Sequence, residues 1–135
     1  KAGEAITLDY GGRTVEDFLL HYGFVPYRCP SDSIQVPIHN NGKSDVDAVQ
    51  VSWDDCRSYT GHPDAEVRSA CADLLDSFPT TLQEDAATMR EMSYKNDGNE
   101  AFMAALEYRF SKKSLLAQAS GVQAANSAFS AFALN

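Results

Sequence analysis

The first part of the chain combines a strand pattern with a short helix pattern. From Ala5 to Tyr10 apolar and polar residues alternate, as they do in a half-buried strand. Thr14 and Asp17 stand at the spacing of a capping box, and Gly23 is placed to end the helix that this box begins. We therefore predict a strand that delivers Tyr10 to the edge of a site, followed by a helix of about two turns.

A β-hairpin is predicted for the middle of the chain. Ser33–His39 and Val46–Trp53 both have strand patterns, and the turn-forming residues Asn40-Asn41-Gly42 separate them. The alternation in the second strand predicts one common face for Val49, Val51 and Trp53.

Two helices are predicted to follow the hairpin. Pro63 and Asp64 open the first, whose apolar residues recur at helical spacing until Pro79 stops it. The segment Thr81–Glu84 is a full capping box, so the second helix should run from there to about Met92. The expected apolar faces consist of Val67, Ala70, Cys71, Leu74, Leu75 and Phe78 in the first helix, and of Leu82, Ala86, Met89 and Met92 in the second.

A third and longer helix is predicted beyond the turn Asn96-Asp97-Gly98. It should run from Glu100 to about Ala119, and Gly121 should break it. Its expected inner face consists of Phe102, Met103, Leu106, Phe110 and Leu116.

The last quarter of the chain adds two charged positions and a tail. Lys112 and Lys113 are expected near the C-terminal end of the long helix, where the helix dipole favours cations. Residues 122–135 are rich in Ala and Ser and predict a weakly anchored helix, packed on its own domain or docked on a partner. The patterns together predict an α+β fold, in which a small N-terminal strand and hairpin part precedes a bundle of three or four helices.

The chain is acidic and of single-domain length. Its 135 residues carry a formal net charge of -8. This charge argues against a nucleic-acid partner, because nucleic-acid affinity depends largely on Lys and Arg. An acidic face can receive a lysine-bearing protein, or it can simply keep the surface soluble. No apolar run approaches the roughly 20 residues that cross a bilayer, so we expect no transmembrane segment. The partner that we expect is a protein or a larger protein assembly.

The residue types that bind metals are scattered. The chain has three cysteines, Cys29, Cys56 and Cys71. Their odd number and wide spacing indicate neither a disulfide framework nor a zinc site. No thiol or carboxylate stands at ligand spacing from the three histidines, His21, His39 and His62. We predict reduced, buried thiols and no metal site.

Two blocks of sequence carry recognisable motifs. Residues 3–11 read GEAITLDYG, and residues 19–26 read LLHYGFVP. In order and spacing they resemble G-E-x5-Y-G and L-L-x-Y-G-F-V of the SET-domain protein methyltransferases of the Rubisco large-subunit type, a branch that includes histidine methyltransferases acting on actin. Residues 78–85, FPTTLQED, with residues 104–109, AALEYR, and Lys113, are similar to the helical substrate-binding domain of that family.

The resemblance implies three parts. Residues 1–26 would be the C-terminal end of a SET-like domain, residues 27–62 a connecting β-hairpin region, and residues 63–135 a helical substrate-binding-like domain. The middle of the chain matches the family poorly, and it is shorter than the usual helical insert.

The resemblance also implies roles for three aromatic residues. Tyr10 matches the catalytic tyrosine beside the target amine, while Tyr22 and Phe24 match the walls of the lysine channel. Methyl transfer from a sulfonium needs an aligned, deprotonated amine, which ring faces and a phenol oxygen can hold. Without the motifs, the same residues would be two half-buried tyrosines and a core phenylalanine.

The methyl donor distinguishes the functional alternatives. The family binds S-adenosylmethionine through a Gly-rich segment and an Asn-His pair before the first block, and the sequence contains neither, so we expect no cofactor on this chain alone. The chain is then a fragment of an active protein-lysine N-methyltransferase, half of a split one, or a remnant retained for protein binding. We favour the last, a non-catalytic protein-binding or structural subunit.

The host and the origin of the chain are further expectations. By analogy with chloroplast members of the family, the host would be a plastid assembly such as a photosynthetic complex, with the cytosol and the nucleus as alternatives. An unrelated acidic protein with chance motif matches is the other possibility. In such a protein Tyr10 and Tyr22 would point to opposite sides of the molecule.

Overall fold

The fold is α+β, as the sequence predicts. A computed structural model of the chain describes residues 3, 9–27, 29–39, 46–56, 61–95 and 99–121. The elements in these ranges are α1 Val15–Tyr22, β1 Ser33–His39, β2 Val46–Ser52, α2 Ala65–Asp76, α3 Leu82–Lys95 and α4 Glu100–Ser120, with a short 3-10 turn at Asp54–Cys56. Four predicted features fall wholly or partly outside them: the strand ending at Tyr10, the turns 40–42 and 96–98, and the helix in residues 122–135.

The predicted hairpin is present and antiparallel. Its register pairs Ser33 with Ser52 and Val36 with Val49. Because side chains alternate between the faces of a strand, Val36 and Val51 share one face, and both are fully buried. This face packs against α2 and α4, so the common face predicted for Val49 and Val51 is confirmed, whereas β2 ends at Ser52, one residue before Trp53.

Helix α1 begins and ends where the sequence predicts. The Thr14 hydroxyl accepts a hydrogen bond from the backbone N–H of Asp17, and the Asp17 carboxylate accepts one from the backbone N–H of Thr14. At the other end Gly23 adopts a φ of 74°, in the left-handed region, and its N–H donates to the carbonyl of Leu19. Val15 and Phe18 form the buried side of the helix.

The three later helices also keep their predicted starting points. Asp64 caps α2, and Thr81 with Glu84 forms the capping box of α3. Asn99 caps α4, and Gly121 ends it with a φ of 77°. Helix α3 continues to Lys95, three residues beyond the predicted end at Met92.

Helix α4 is the central element of the body, and here two predictions were wrong. It packs against α2, α3 and β1, and every residue from Ser111 to Ala117 is buried. Lys112 and Lys113 are therefore buried in mid-helix, and the last turn contains no basic residue. Phe102, predicted on the inner face, is 51% exposed because the first turn of α4 projects beyond the core.

Candidate functional site

The three residues that the resemblance singled out lie together. The ring centroids of Tyr10 and Tyr22 are 4.8 Å apart, with an angle of 67° between the planes. Phe24 completes a triangle, 6.1 Å from Tyr10 and 6.4 Å from Tyr22. These are the separations and tilts at which aromatic rings attract one another. The two tyrosines thus lie on the same side of the molecule.

Phe18 forms the base of this group. Its ring lies 5.8 Å from that of Tyr10 and 5.3 Å from that of Phe24, and it is largely buried. We call Tyr10, Phe18, Tyr22 and Phe24 the aromatic cluster. Sequence reasoning assigned Phe18 to the apolar side of α1 but did not connect it with the site. Its position one helical turn before Tyr22 is the signal that could have done so.

The local backbone explains how these rings meet. Tyr22 is the last residue of α1, and the left-handed Gly23 turns the chain so that Phe24 lies beside it. On the other side, the Asp9 carboxylate accepts a hydrogen bond of 2.8 Å from the Gly11 N–H, which fixes a tight turn around Tyr10. The cluster is therefore built from two turns against one short helix.

The cluster is open to solvent. Tyr10, Tyr22 and Phe24 are 39%, 42% and 40% exposed. Phe24 is thus not the plain core residue that it would be without the motifs. Large rings held in mutual contact but left half exposed are typical of surfaces that bind a partner.

A cation already lies on one ring of the cluster. The guanidinium carbon of Arg13 is 5.7 Å from the ring centroid of Tyr22, within cation–π range. The Arg13 Nε donates a hydrogen bond of 2.9 Å to the carbonyl of Tyr10. An outer face of the cluster thus accommodates positive charge.

A partly buried ion network joins α1, the helix that carries Phe18 and Tyr22, to α4. The Lys112 Nζ lies 2.7 Å from Glu16 Oε1 and 2.6 Å from Asp32 Oδ1. The Tyr108 hydroxyl donates a 3.0 Å hydrogen bond to Glu16. Burial by itself lowers the pKa of Lys112, but the hydrogen bonds to Asp32 and Glu16 outweigh it, and the pKa of Lys112 is raised. We call these four residues the Lys112 network.

A second ion network unites residues of the second motif block. The buried Lys113 ammonium donates a 2.7 Å hydrogen bond to Asp85 and a further one to the carbonyl of Thr80. Arg109 donates to Asp85 as well, through two nitrogens. The Phe78 ring lies 5.1 Å from the ammonium. These five residues, the Lys113 network, connect α3 to α4 and give the block an evident structural purpose.

A groove lies between β1 and α2. It has a volume of about 360 Å³, with Ile38 and Leu74 among its apolar lining residues and Glu66 and Asp73 among its acidic ones. Its described lining includes the imidazole of His39 but no Phe, Tyr or Trp ring. The groove therefore offers less to a specific ligand than the aromatic cluster does.

The cysteines are buried, as predicted, and they are poor nucleophiles. Burial raises the pKa of Cys29. Burial raises the pKa of Cys71 to about 11, and burial together with the nearby Asp55 and Cys71 raises that of Cys56 to about 11. Since the thiolate is the reactive form, none of the three is suited to nucleophilic catalysis.

Comparison with known proteins adds no relative. No family model, curated protein or solved structure matches the chain. Within the described ranges, no helix is both long enough and apolar enough to span a lipid bilayer.

Proposed function

We propose that this chain is a protein-binding segment derived from a SET-type protein-lysine methyltransferase, and that its aromatic cluster receives a lysine side chain of a protein partner. The observation that carries the proposal is the convergence of Tyr10, Tyr22 and Phe24 into one open group of rings. Chemistry alone suggests a cationic ligand, and the resemblance suggests that the cation is a lysine.

The physical basis is the attraction between an ammonium group and aromatic faces. The face of an aromatic ring carries partial negative charge, so an exposed ring face attracts a cation, and the neighbouring rings can pack against its aliphatic stem. The net charge of -8 adds long-range attraction for a basic partner. Arg13 lies on a face of Tyr22, and its contact is of the kind that the incoming lysine would make.

The experiment is a titration of the chain with lysine-bearing peptides, followed by NMR and calorimetry. We expect binding that shifts the ring signals of Tyr10 and Tyr22, and that is lost when the lysine is replaced by norleucine, which keeps the aliphatic stem without the charge. Tyr22→Ala should weaken binding by about 3- to 30-fold, as expected for loss of one cation–π contact.

A matched control distinguishes the cluster from exposed tyrosines in general. Tyr94 on α3 is 85% exposed and lies outside the cluster, so Tyr94→Ala should bind like the unmodified chain. Equal binding of the lysine and norleucine peptides would contradict the proposal. So would an equal loss of affinity in the two tyrosine variants.

A second candidate function is catalysis as one half of a methyltransferase. The half-exposed rings of Tyr10, Tyr22 and Phe24 favour it, because a substrate and a donor-binding part would both need access to them. In that case the chain, supplied with a donor-binding SET part, would transfer labelled methyl groups to a lysine peptide, and Tyr10→Phe would abolish the transfer. For the chain alone we expect no turnover.

A further inference from the structure

We propose that Lys112, although it lies on α4 and outside the aromatic cluster, is the positioning residue that holds this cluster in its binding geometry. The inference rests on the proposed function for its consequence, the affinity for a lysine side chain. Its structural basis is independent of that function. It concerns how helix α1, which carries Phe18 and Tyr22, is fixed to the rest of the molecule.

Helix α1 makes little direct contact with the hairpin and with helices α2, α3 and α4, and a few long side chains attach it to them. The pairs of elements with the most extensive contact are β1 with β2, α4 with α2 and α3, and β1 with α2 and α4. Among the described elements, α1 belongs to none of these pairs. Its apolar anchor is small: Val15, Phe18 and Cys29, with Val25 and Tyr108 packed against them. The orientation of such a helix depends on a few long side chains that reach it.

Lys112 is the residue that reaches it from the centre of the body. Its side chain is only 7% exposed, and its ammonium group contacts three oxygens from two parts of the chain: Glu16 on α1, and Asp32 with the carbonyl of the next residue, Ser33, at 2.8 Å. The bond to Asp32 spans 80 positions of sequence. One cation therefore ties α1, the start of the hairpin and α4 together.

Asp32 extends this tie to the beginning of α1. Its Oδ1 atom accepts from Lys112 and also from the N–H of Val15, the first residue of the helix. A carboxylate at a helix N-terminus is favourable because it interacts with the unpaired N–H groups and the helix dipole. The carboxylate is fully buried, so without Lys112 it would be left uncompensated.

Loss of Lys112 should therefore release α1 at two points, Glu16 and Asp32. The rings of Phe18 and Tyr22 move with α1, whereas Tyr10 is held by its own turn. We expect the cluster to sample several arrangements, of which one binds lysine. Affinity falls in proportion to the population of the competent arrangement.

The neighbouring Lys113 supplies a matched control. It is also buried and also pairs with a buried carboxylate, but its partners Asp85 and Thr80 belong to the α3 side of the body. Lys113→Met should lower stability as Lys112→Met does, without touching α1. A general loss of stability can thus be separated from a loss of positioning.

The experiment compares Lys112→Met and Lys113→Met by NMR and by titration with the lysine peptide. Lys112→Met should broaden or average the ring signals of Tyr10, Tyr22 and Phe24 and weaken binding by about three- to tenfold. Lys113→Met should leave both readouts unchanged at a temperature where it is folded. Unchanged ring signals in folded Lys112→Met would overturn the proposal.

A milder variant keeps the test decisive if Lys112→Met does not fold. Glu16 is partly exposed, so Glu16→Gln weakens the tie to α1 and leaves Asp32 paired with Lys112. It should shift the same ring signals by a smaller amount, and unchanged signals would again count against the proposal. If the unmodified chain binds no lysine peptide, the proposed function fails, whereas the ring signals still decide whether Lys112 positions the cluster.

Discussion

The N-terminal part of the molecule and its helical body use charged and aromatic residues in opposite ways. In residues 9–27 large rings are half exposed and touch one another at the surface. In α4 two lysines are buried, each compensated by a buried carboxylate. Buried ion pairs cost desolvation and define geometry more than they add stability. The difference indicates a body built to be rigid and an N-terminal part built to present a surface.

The largest expected effect on stability comes from removing a buried ion-pair partner in the helical body. Asp85→Ala leaves Lys113 buried without its carboxylate and removes the partner of Arg109. We expect the free energy of unfolding in urea to fall by about 3–5 kcal/mol, as for other buried pairs that lose one partner. Glu91→Ala, which removes an exposed pair with Lys95 on the same helix, should produce no comparable change. Equal effects would show that burial of the pair is unimportant.

A slightly smaller effect is expected at the junction between the hairpin and the bundle. Gly61 has a φ of 89°, and a Cβ atom there would lie 2.6 Å from the carbonyl oxygen of Ala119. Gly61→Ala should therefore cost about 1–3 kcal/mol of unfolding free energy, measured in urea. Gly11 has a comparable φ of 74° with open space around it. Gly11→Ala isolates the backbone strain, and the excess cost at Gly61 measures the steric contact.

Acid should lower the stability of both the helical body and the N-terminal part, because each contains a carboxylate that is paired with a lysine. Burial by itself raises the pKa of Asp85, but hydrogen bonds from Arg109 and Lys113 outweigh it and hold the pKa below its ordinary value of 3.8. Likewise burial raises the pKa of Glu16, but the hydrogen bonds from Lys112, from the backbone and from Tyr108, together with the positive charge of Lys112, outweigh it, and the pKa is lowered from 4.5.

A lowered pKa in the folded state fixes the direction of the pH dependence. The stabilisation is complete above the unfolded pKa and is lost as the pH falls through the folded pKa. Urea unfolding between about pH 7 and about pH 3 should show a fall in stability below about pH 4, and Asp85→Asn should make this fall shallower. An unchanged slope in Asp85→Asn would contradict the assignment.

The smallest expected effect concerns local opening of the native state. Cys29 belongs to the small apolar anchor of α1, whereas Cys71 lies in the main core with Val36 and Leu116. If α1 opens separately, Cys29 should react with a thiol reagent faster than Cys71 under native conditions. Peptide mapping after timed labelling measures the two rates. If Cys29 and Cys71 react at the same rate, and this rate equals that of global unfolding, α1 and the main core open together.

Local signals explain what the sequence could predict. The helix boundaries follow from caps such as Thr14 with Asp17 and Thr81 with Glu84, whose partners lie within three residues. The hairpin follows from alternation over two adjacent strands. Such features depend on neighbours in the chain and are therefore readable before any fold is known.

Interactions between residues that are far apart in the sequence explain what the sequence could not predict. Lys112 and Lys113 have the appearance of solvated residues near a helix end, because Asp32 is 80 positions from Lys112 and Asp85 is 28 from Lys113. The grouping of Tyr10, Tyr22 and Phe24 was expected from the resemblance, and no periodicity would have indicated it. Phe18 is different, because its position one helical turn before Tyr22 is a local signal that could have placed it in the group.

Helix α4 also restricts how this chain can change in length. Lys112 and Lys113 are adjacent, and successive residues of a helix diverge by about 100°. Inserting or deleting one residue before them would rotate both ammonium groups away from Asp32 and Asp85 together, so no single compensating substitution could restore the two pairs. Variation in length should therefore accumulate in the connecting loops, while the distance along α4 from Asn99 to Lys112 stays constant among descendants that still fold.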